Sequence, residues 1–200
     1  MGSETETLVA RWLDLVGPPP VPVLSGPWRI GAMTPGGDDV DLVWRWMNSP
    51  HVAAAWDQAW PRERWAGEIE RQAAGAHSRP CLAYLDGEPV AYLELYRVLR
   101  DRLAPLYPCR PHDLGVHIAI GAPGDIGRGL GRSLLAAVAA GLLAAEETCT
   151  RVVAEPNVLN TASIRAFTAA GFRRAGEVTL PHKTAALLVH PRTEEDLPQW

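Results

Sequence analysis

The chain has 200 residues, 47 % of them apolar and 21 % charged, which is ordinary globular usage and excludes global disorder. A net charge of −4 excludes a basic field able to hold nucleic acid or an anionic membrane by charge alone. No apolar run reaches the roughly 18 residues of a membrane span, and no basic stretch with an apolar core opens the chain, so neither a membrane nor a secretory signal is expected. Three scattered cysteines, Cys81, Cys109 and Cys149, form neither a disulfide framework nor a zinc pattern, which predicts a reducing, cytoplasmic setting.

Leu8, Trp12, Leu15 and Val16 recur at helical spacing over residues 4–16, and Gly17-Pro18-Pro19-Pro20 stops that helix. Residues 1–27 are therefore expected to be a helix followed by a Pro-rich strap, with the main domain over 28–200. Trp28–Met33 reads as a strand. Asp38–Asn48 reads as a helix with Val40, Val43, Trp44 and Met47 on one side, ended by Asn48-Ser49-Pro50. Pro61 opens a further helix over Arg62–Ala74. Cys81–Leu85 and Pro89–Tyr96 flank Asp86-Gly87-Glu88 as a hairpin. After an Arg/Pro-rich loop, Asp113–Gly121 is a strand with Leu114, Val116, Ile118 and Ile120 on one face. A helix over Gly127–Ala145, a strand over Arg151–Glu155 and a helix over Asn160–Ala170 follow. Phe172–Leu180 and Lys183–His190 close the chain as strands. The fold class is α/β (α+β), with a central mixed sheet flanked by helices.

Two segments point to chemistry. In the first, the strand ending near Gly121 passes through Gly127-Arg128-Gly129-Leu130-Gly131-Arg132 into a helix. Glycines there let backbone approach a ligand, free N–H groups at a helix start bind phosphate, and the two arginines add positive charge. It is neither a Walker loop nor a dinucleotide fingerprint; a packed glycine turn is the alternative. In the second, Arg151–Glu155 ends in Pro156-Asn157-Val158-Leu159-Asn160, where Asn160 is a good helix N-cap.

Together these segments resemble the GCN5-related N-acetyltransferase (GNAT) superfamily. Its pyrophosphate loop, Arg/Gln-x-x-Gly-x-Gly/Ala, is matched by Ile126 to Gly131, with Ile126 departing at the first position. Its later signature is matched by Asn160, Ser163, Phe167, Gly171 and Phe172, with Phe where Tyr is common. That Phe removes the family's usual hydroxyl for protonating the departing thiolate. The segments Trp44–Trp56, Glu94–Tyr96, Asp101–Tyr107, Asp113–His117, Ala154–Pro156 and Leu180–Leu188 look like the siderophore branch, which acylates the N-hydroxyamine of hydroxylysine or a similar hydroxylated diamine. Aminoglycoside 6'-N-acetyltransferases are similar, but tend to carry Asp at the place of His117 and Asp-Pro at Glu155-Pro156. A degenerate acyl-CoA-binding module is a further alternative.

The resemblance implies a sheet splayed at the strand carrying His117 and direct transfer from an acyl-CoA, acetyl-CoA by default, to a small amine or hydroxyamine. Ile118, Ala119, Ile120, Gly127, Arg128, Gly129, Leu130, Gly131, Arg132, Asn160 and Ser163 would hold the acyl-CoA. His117, opposite in facing to Val116 and Ile118, is a candidate general base or acceptor-orienting group; a packed strand histidine is its plain alternative. Glu155 would orient the acceptor or take its proton. Trp56, Glu94, Tyr96, Asp113 and Asn157 are candidate acceptor contacts. Asn157, unlike the Asp frequent in the branch, is no base. Trp44, Trp46, Trp56, Trp60 and Trp65 divide between core and pocket wall. Lys183 reads as a surface or salt-bridge residue. His51, His112, His117 and His182 lack ligand spacing, so no metal is expected, and the chain is expected to be a monomer or homodimer.

Overall fold

A computed structural model describes residues 16–122, 124 and 127–199. It holds seven strands: β1 (Trp28–Ala32), β2 (Ser78–Leu85), β3 (Glu88–Arg97), β4 (Leu114–Ile120), β5 (Arg151–Ala154), β6 (Arg173–Leu180) and β7 (Lys183–Pro191). The helices are α1 (Asp38–Met47), α2 (Pro50–Trp56), α3 (Arg62–Ala74), α4 (Leu130–Ala145) and α5 (Thr161–Ala169). The sheet order is β1-β2-β3-β4-β5-β7-β6. Neighbours are antiparallel except β4 and β5, which run parallel.

Each face of the sheet buries a different helix set. Leu114, Val116, Ile118 and Ile120 of β4 turn toward the α4 side, where Leu134, Leu135, Val138 and Leu142 form the core with Leu93, Leu95 and Val152. Ala119 turns the other way, beside Tyr92, Trp65, Val43 and Met47 under α1 and α3. Strand alternation thus sends His117 to the α1–α3 face, as the period-two pattern predicts. The hairpin between β2 and β3 closes on Asp86 at φ 52° and Gly87 at φ 93°, the left-handed pair a two-residue turn requires.

Three readings need amendment. First, Asn48-Ser49-Pro50 ends α1 as expected, with Asn48 as its C-cap, but a further helix follows at once: Ser49 is the N-cap and Pro50 the first residue of α2, where its missing N–H costs nothing. Second, Trp46 is the buried tryptophan of α1 while Trp44 packs half-buried against the same core, and the Trp46 indole covers Gly121 so closely that a Cβ there would overlap the ring. Third, α4 begins at Leu130, because Gly127 and Gly129 hold φ values of 78° and 79° and cannot be α-helical. The predicted helix over 4–16 lies outside the described residues apart from Val16, as does Ile126. The described strap is tied down by β3 and α4. Arg97 donates to the carbonyls of Gly17 and Pro18 while pairing with Glu146 at 2.7 Å. Pro22, Val23 and Leu24 lie on Gly141, where a Cβ would meet them at 3.0–3.1 Å.

Candidate active site

Pairing between β4 and β5 is confined to Leu114–Val152 and Gly115–Val153, after which the strands diverge. The predicted splay is therefore present, and it opens into a cleft of about 1250 Å³ that runs from the glycine turn to the loop between β3 and β4. Trp56 Nε1 donates to the carbonyl of Ile118 at 3.2 Å, and His51 Nε2 lies 3.0 Å from the carbonyl of Ile120. Those carbonyls face away from β3. In an antiparallel pair a residue sends its N–H and C=O to the same side, so the Ile118 and Ile120 N–H groups also face the gap. Helix α2, invisible to the periodicity argument, is what holds this edge open.

At one end of the cleft the first-turn N–H groups of α4 precede its first bond, Ser133 N to Gly129 O at 3.1 Å. Among the described residues nothing lies within 4 Å of a Cβ position at Gly127 or Gly129, which leaves the turn an open cradle. Gly127, Gly129, Leu130, Gly131, Arg132, Asn160 and Ser163 line it together with Ile118, Ala119 and Ile120. Free helix-start donors, two unfilled glycines and an arginine suit an anionic pyrophosphate. Arg128 is exposed and stands outside the cleft lining. Asn160 spends its side chain as the N-cap of α5, accepting from Ser163 N at 3.0 Å. Phe167 packs edge-on against Phe172 at 4.9 Å and brings no hydroxyl.

At the other end, β3 and β4 place Glu94 directly opposite His117 and Tyr96 opposite Gly115. The register makes a clamp. His117 Nδ1 lies 3.0 Å from Glu94 Oε2, and His117 Nε2 lies 2.5 Å from Glu155 Oε1. Glu94 is fixed in turn by Gln72 Nε2 at 2.8 Å and Tyr92 Oη at 3.0 Å. Glu155 accepts from Tyr96 Oη at 2.6 Å, and Lys183 Nζ donates to its backbone carbonyl at 2.6 Å while standing 3.7 Å from Oε1. Gly115 permits this: a Cβ there would overlap the Tyr96 ring.

The electrostatics follow from these contacts. Burial opposes the His117 charge, yet the Glu155 carboxylate and the hydrogen bonds to Glu155 and Glu94 raise its pKa to about 10. Burial likewise opposes the Glu155 charge, but His117, Lys183 and the Tyr96 hydroxyl carry its pKa down to about 2. Glu94 is also held low against its burial, by His117, Gln72 and Tyr92. Burial lifts the Tyr96 and Tyr92 phenols well above their ordinary value, so both stay protonated donors. His117 is thus an imidazolium between two carboxylates at neutral pH. Of the two roles expected for His117, general base or acceptor-orienting group, the flanking anions favour the second, because they stabilise the protonated ring.

Of the other predicted contacts, Trp56, Glu94, Tyr96 and Asn157 line the cleft. Asn157 holds its own loop, its Oδ1 accepting from Leu159 N at 2.9 Å. Asp113 does not reach the cleft. It is fully buried, paired with Arg151 at 2.6 Å, and accepts from Tyr107 Oη at 2.7 Å, so it is a structural acid. Lys183 is the predicted salt-bridge residue, but to Glu155 inside the cleft. Gln72 and Tyr92 were missed. Their helix and strand positions read as plain core, and only the three-dimensional register shows what they hold. Among the described residues no group of three or more His, Cys, Asp or Glu is placed to hold a metal ion, and no helix is long and apolar enough to cross a membrane.

Comparison with known proteins agrees with this geometry. Residues 37–180 match the family model described as acetyltransferase (GNAT) domain. The chain is 35 % identical to lysine N-acyltransferase MbtK of Mycobacterium sp. (strain MCS), covering 96 % of this chain and 78 % of that one. It is 32 % identical to the N(6)-hydroxylysine O-acetyltransferase of Escherichia coli over 77 % of this chain and 49 % of that one. An uncharacterized protein from Bacillus halodurans has the same fold at a TM-score of 0.77 and 30 % identity, covering 82 % of this chain and 84 % of that one. The aminoglycoside acetyltransferase AAC(6')-Ib, solved with coenzyme A, shares the fold at a TM-score of 0.72 and 24 % identity over 82 % of this chain and 95 % of that one. The splayed parallel pair, the open glycine cradle at a helix start and the match across most of the chain have one reading: the chain belongs to the GCN5-related N-acetyltransferase family and is an N-acyltransferase.

Proposed function

We propose that this enzyme transfers an acyl group from acyl-CoA to the side-chain N-hydroxyamine of a hydroxylysine-like acceptor, forming a hydroxamate of the kind found in siderophores. The supporting observation is the clamped imidazolium. Its proton is held by Glu94 and Glu155, so the site offers no strong base near neutrality. An alkylammonium of pKa about 10.4 is neutral in only about one molecule in 2,500 at pH 7. An N-hydroxyamine, weakened by its electronegative oxygen, arrives largely neutral and needs no base. That preference separates it from the aminoglycoside alternative, whose amine is an alkylamine.

When bound, the acyl-CoA supplies an activated thioester carbonyl. The glycine turn and the α4 start would hold its pyrophosphate, and the outward N–H groups of β4 would meet its pantetheine arm. The chain's own part is positioning and charge. His117 and Tyr96 lock the Glu155 carboxylate while leaving it spare lone pairs. Glu155 then accepts the N–H or O–H of the incoming hydroxyamine and stabilises the positive charge that grows on nitrogen during attack; as the C–N bond forms, the thioester C–S bond breaks, and the proton that nitrogen sheds goes to the departing thiolate, so that CoA leaves as its thiol.

Thiol release from acetyl-CoA tests this with N(6)-hydroxylysine, lysine and a 6'-amino aminoglycoside. At pH 7, kcat/KM for hydroxylysine should exceed that for lysine by at least about a hundredfold. The lysine rate should climb about tenfold per pH unit from 7 to 9, tracking its neutral fraction, while the hydroxylysine rate stays nearly flat. Equal rates at pH 7, or turnover of the aminoglycoside alone, would refute the assignment.

A further inference from the structure

Beyond the clamp, the mouth of the cleft carries two charges that the reaction does not use. Arg102 lies in the connection between β3 and β4, at the end of β4 opposite the glycine turn, so it is on the acceptor side. It is exposed, lines the cleft, and has no ion pair or hydrogen bond among the described residues. Its sequence neighbour Asp101 is occupied, lying 3.2 Å from His77 and accepting from Leu103 N at 2.9 Å. Asp57, on the other wall, ends α2 in the left-handed conformation at φ 52° and likewise has no side-chain partner among the described residues. It follows Trp56, whose indole is bound to β4, so its position is fixed by the strand.

His182, between β6 and β7, lines the same cleft. Burial holds its pKa down, then the cations of Lys183 and Arg102, against the anions of Glu155 and Asp57. All four groups therefore act on one ring at the cleft mouth. The other cations on the acceptor side are committed: Arg71 to Glu68, Arg64 to the face of Trp60 at 3.8 Å, and Lys183 to Glu155. An arginine and a carboxylate that both line the cleft, each without a side-chain partner among the described residues, are together complementary to a zwitterion.

Resting on the hydroxyamine reading above, we infer that the acceptor is an α-amino acid, its carboxylate taken by Arg102 and its α-ammonium by Asp57, and that Arg102 sets the preference for an amino acid over the corresponding diamine. A diamine keeps the far ammonium and lacks the carboxylate, so it engages Asp57 alone. Steric fit to the aliphatic stem is the same for both. The carboxylate contact is the sole difference between them.

N(6)-hydroxylysine and N-hydroxycadaverine, which differ only in that carboxylate, make the test. Steady-state thiol release is measured with both acceptors for the parent, Arg102→Gln and Asp57→Asn. Arg102→Gln should raise the hydroxylysine KM about tenfold or more at near-constant kcat, and leave the N-hydroxycadaverine KM and the acetyl-CoA KM unchanged. Asp57→Asn should raise the KM of both acceptors. Both positions are exposed, and thermal unfolding of each variant should match the parent. If Arg102→Gln leaves the hydroxylysine KM unchanged, shifts both acceptors equally, or raises the acetyl-CoA KM, the inference is overturned while the hydroxyamine reading stands. A parent that acylates neither hydroxyamine overturns that reading, and this one with it.

Discussion

Replacing Gly115 by Ala should damage the clamp without touching a titratable group. The new methyl would overlap the ring of Tyr96, which lies across Gly115 in register. An overlap with ring carbons is not relieved by shifts of a few tenths of an ångström, so the ring must swing away. Tyr96 is buried to 1 % exposure with little room to swing, and its hydroxyl then leaves Glu155 Oε2, now 2.6 Å away. Overpacking of a tight core costs about 1–3 kcal/mol. Loss of a buried hydrogen bond to a charged group costs about 1.5–3 kcal/mol. The sum, about 2.5–6 kcal/mol, is a large share of the roughly 5–15 kcal/mol that holds a domain together.

Urea unfolding followed by circular dichroism measures the cost, and Tyr96→Phe separates its parts. The Phe variant keeps the ring and drops the hydroxyl. In that background Gly115→Ala should cost only the packing part, about 1–3 kcal/mol. In a Tyr96→Ala background, if it folds, the alanine should cost almost nothing. The turnover of Gly115→Ala should also fall, because Glu155 loses one of the groups that fix it. An identical cost of Gly115→Ala in the wild-type and Tyr96→Phe backgrounds would show that the ring and its hydrogen bond to Glu155 are not coupled through Gly115.

Gly129→Asp should lower acetyl-CoA affinity at least about tenfold, or about 1.4 kcal/mol, by placing a negative side chain in the open turn; titration calorimetry reads it, and unchanged affinity would place the pyrophosphate elsewhere. Asp113→Asn should destabilise the fold by about 3–5 kcal/mol by leaving the Arg151 guanidinium buried and poorly paired, with acceptor KM unchanged in the protein that remains folded; a raised acceptor KM would return Asp113 to the site. The stability that His117 supplies should be complete below its ordinary pKa of 6.5 and fade as pH rises through about 10, because the folded state binds the proton more tightly. The stability from Glu155 should be complete above its ordinary 4.5 and fade as pH falls toward about 2. Urea midpoints across pH for the parent and Glu155→Gln check the sign: the variant should lose stability most between those two windows, and parallel curves would refute the coupling.

The elements that were legible in the sequence are those whose signal is local. The β2–β3 hairpin announces itself in Asp86-Gly87, because only a few residue types accept positive φ there. Alternation along Leu114–Ile120 gave His117 its face, because a strand has a strict period of two. Helix α2 was hidden by Ser49-Pro50, a pair that ends one helix and caps the next equally well. The start of α4 was misplaced for a related reason: three alternating glycines are compatible with a helix or a turn, and the left-handed φ of Gly127 and Gly129 decides for the turn.

The candidate site divides along the same line. His117, Glu155, Glu94 and Tyr96 were marked from a resemblance, yet their protonation states were beyond any local pattern. A histidine alone on a strand titrates near neutrality and reads as a base. The protonated ring follows from three long-range facts: β3 pairs with β4 in the register that sets Glu94 against His117, β5 ends where Glu155 meets the other ring nitrogen, and β7 begins with Lys183 beside it. Asp113 failed in the opposite sense. It sits in the same motif, one residue before β4, but Arg151 enters β5 directly beside it and takes both of its oxygens. A carboxylate's chemistry in this fold is therefore set by which cation the sheet brings to it. With His117 and Lys183, Glu155 becomes a fixed anion on the cleft wall; with Arg151, Asp113 becomes part of the core. Substituting the partner should convert the role, and Lys183→Met, which leaves His117 in place, should weaken the hold on Glu155 and raise its pKa toward the ordinary carboxylate range.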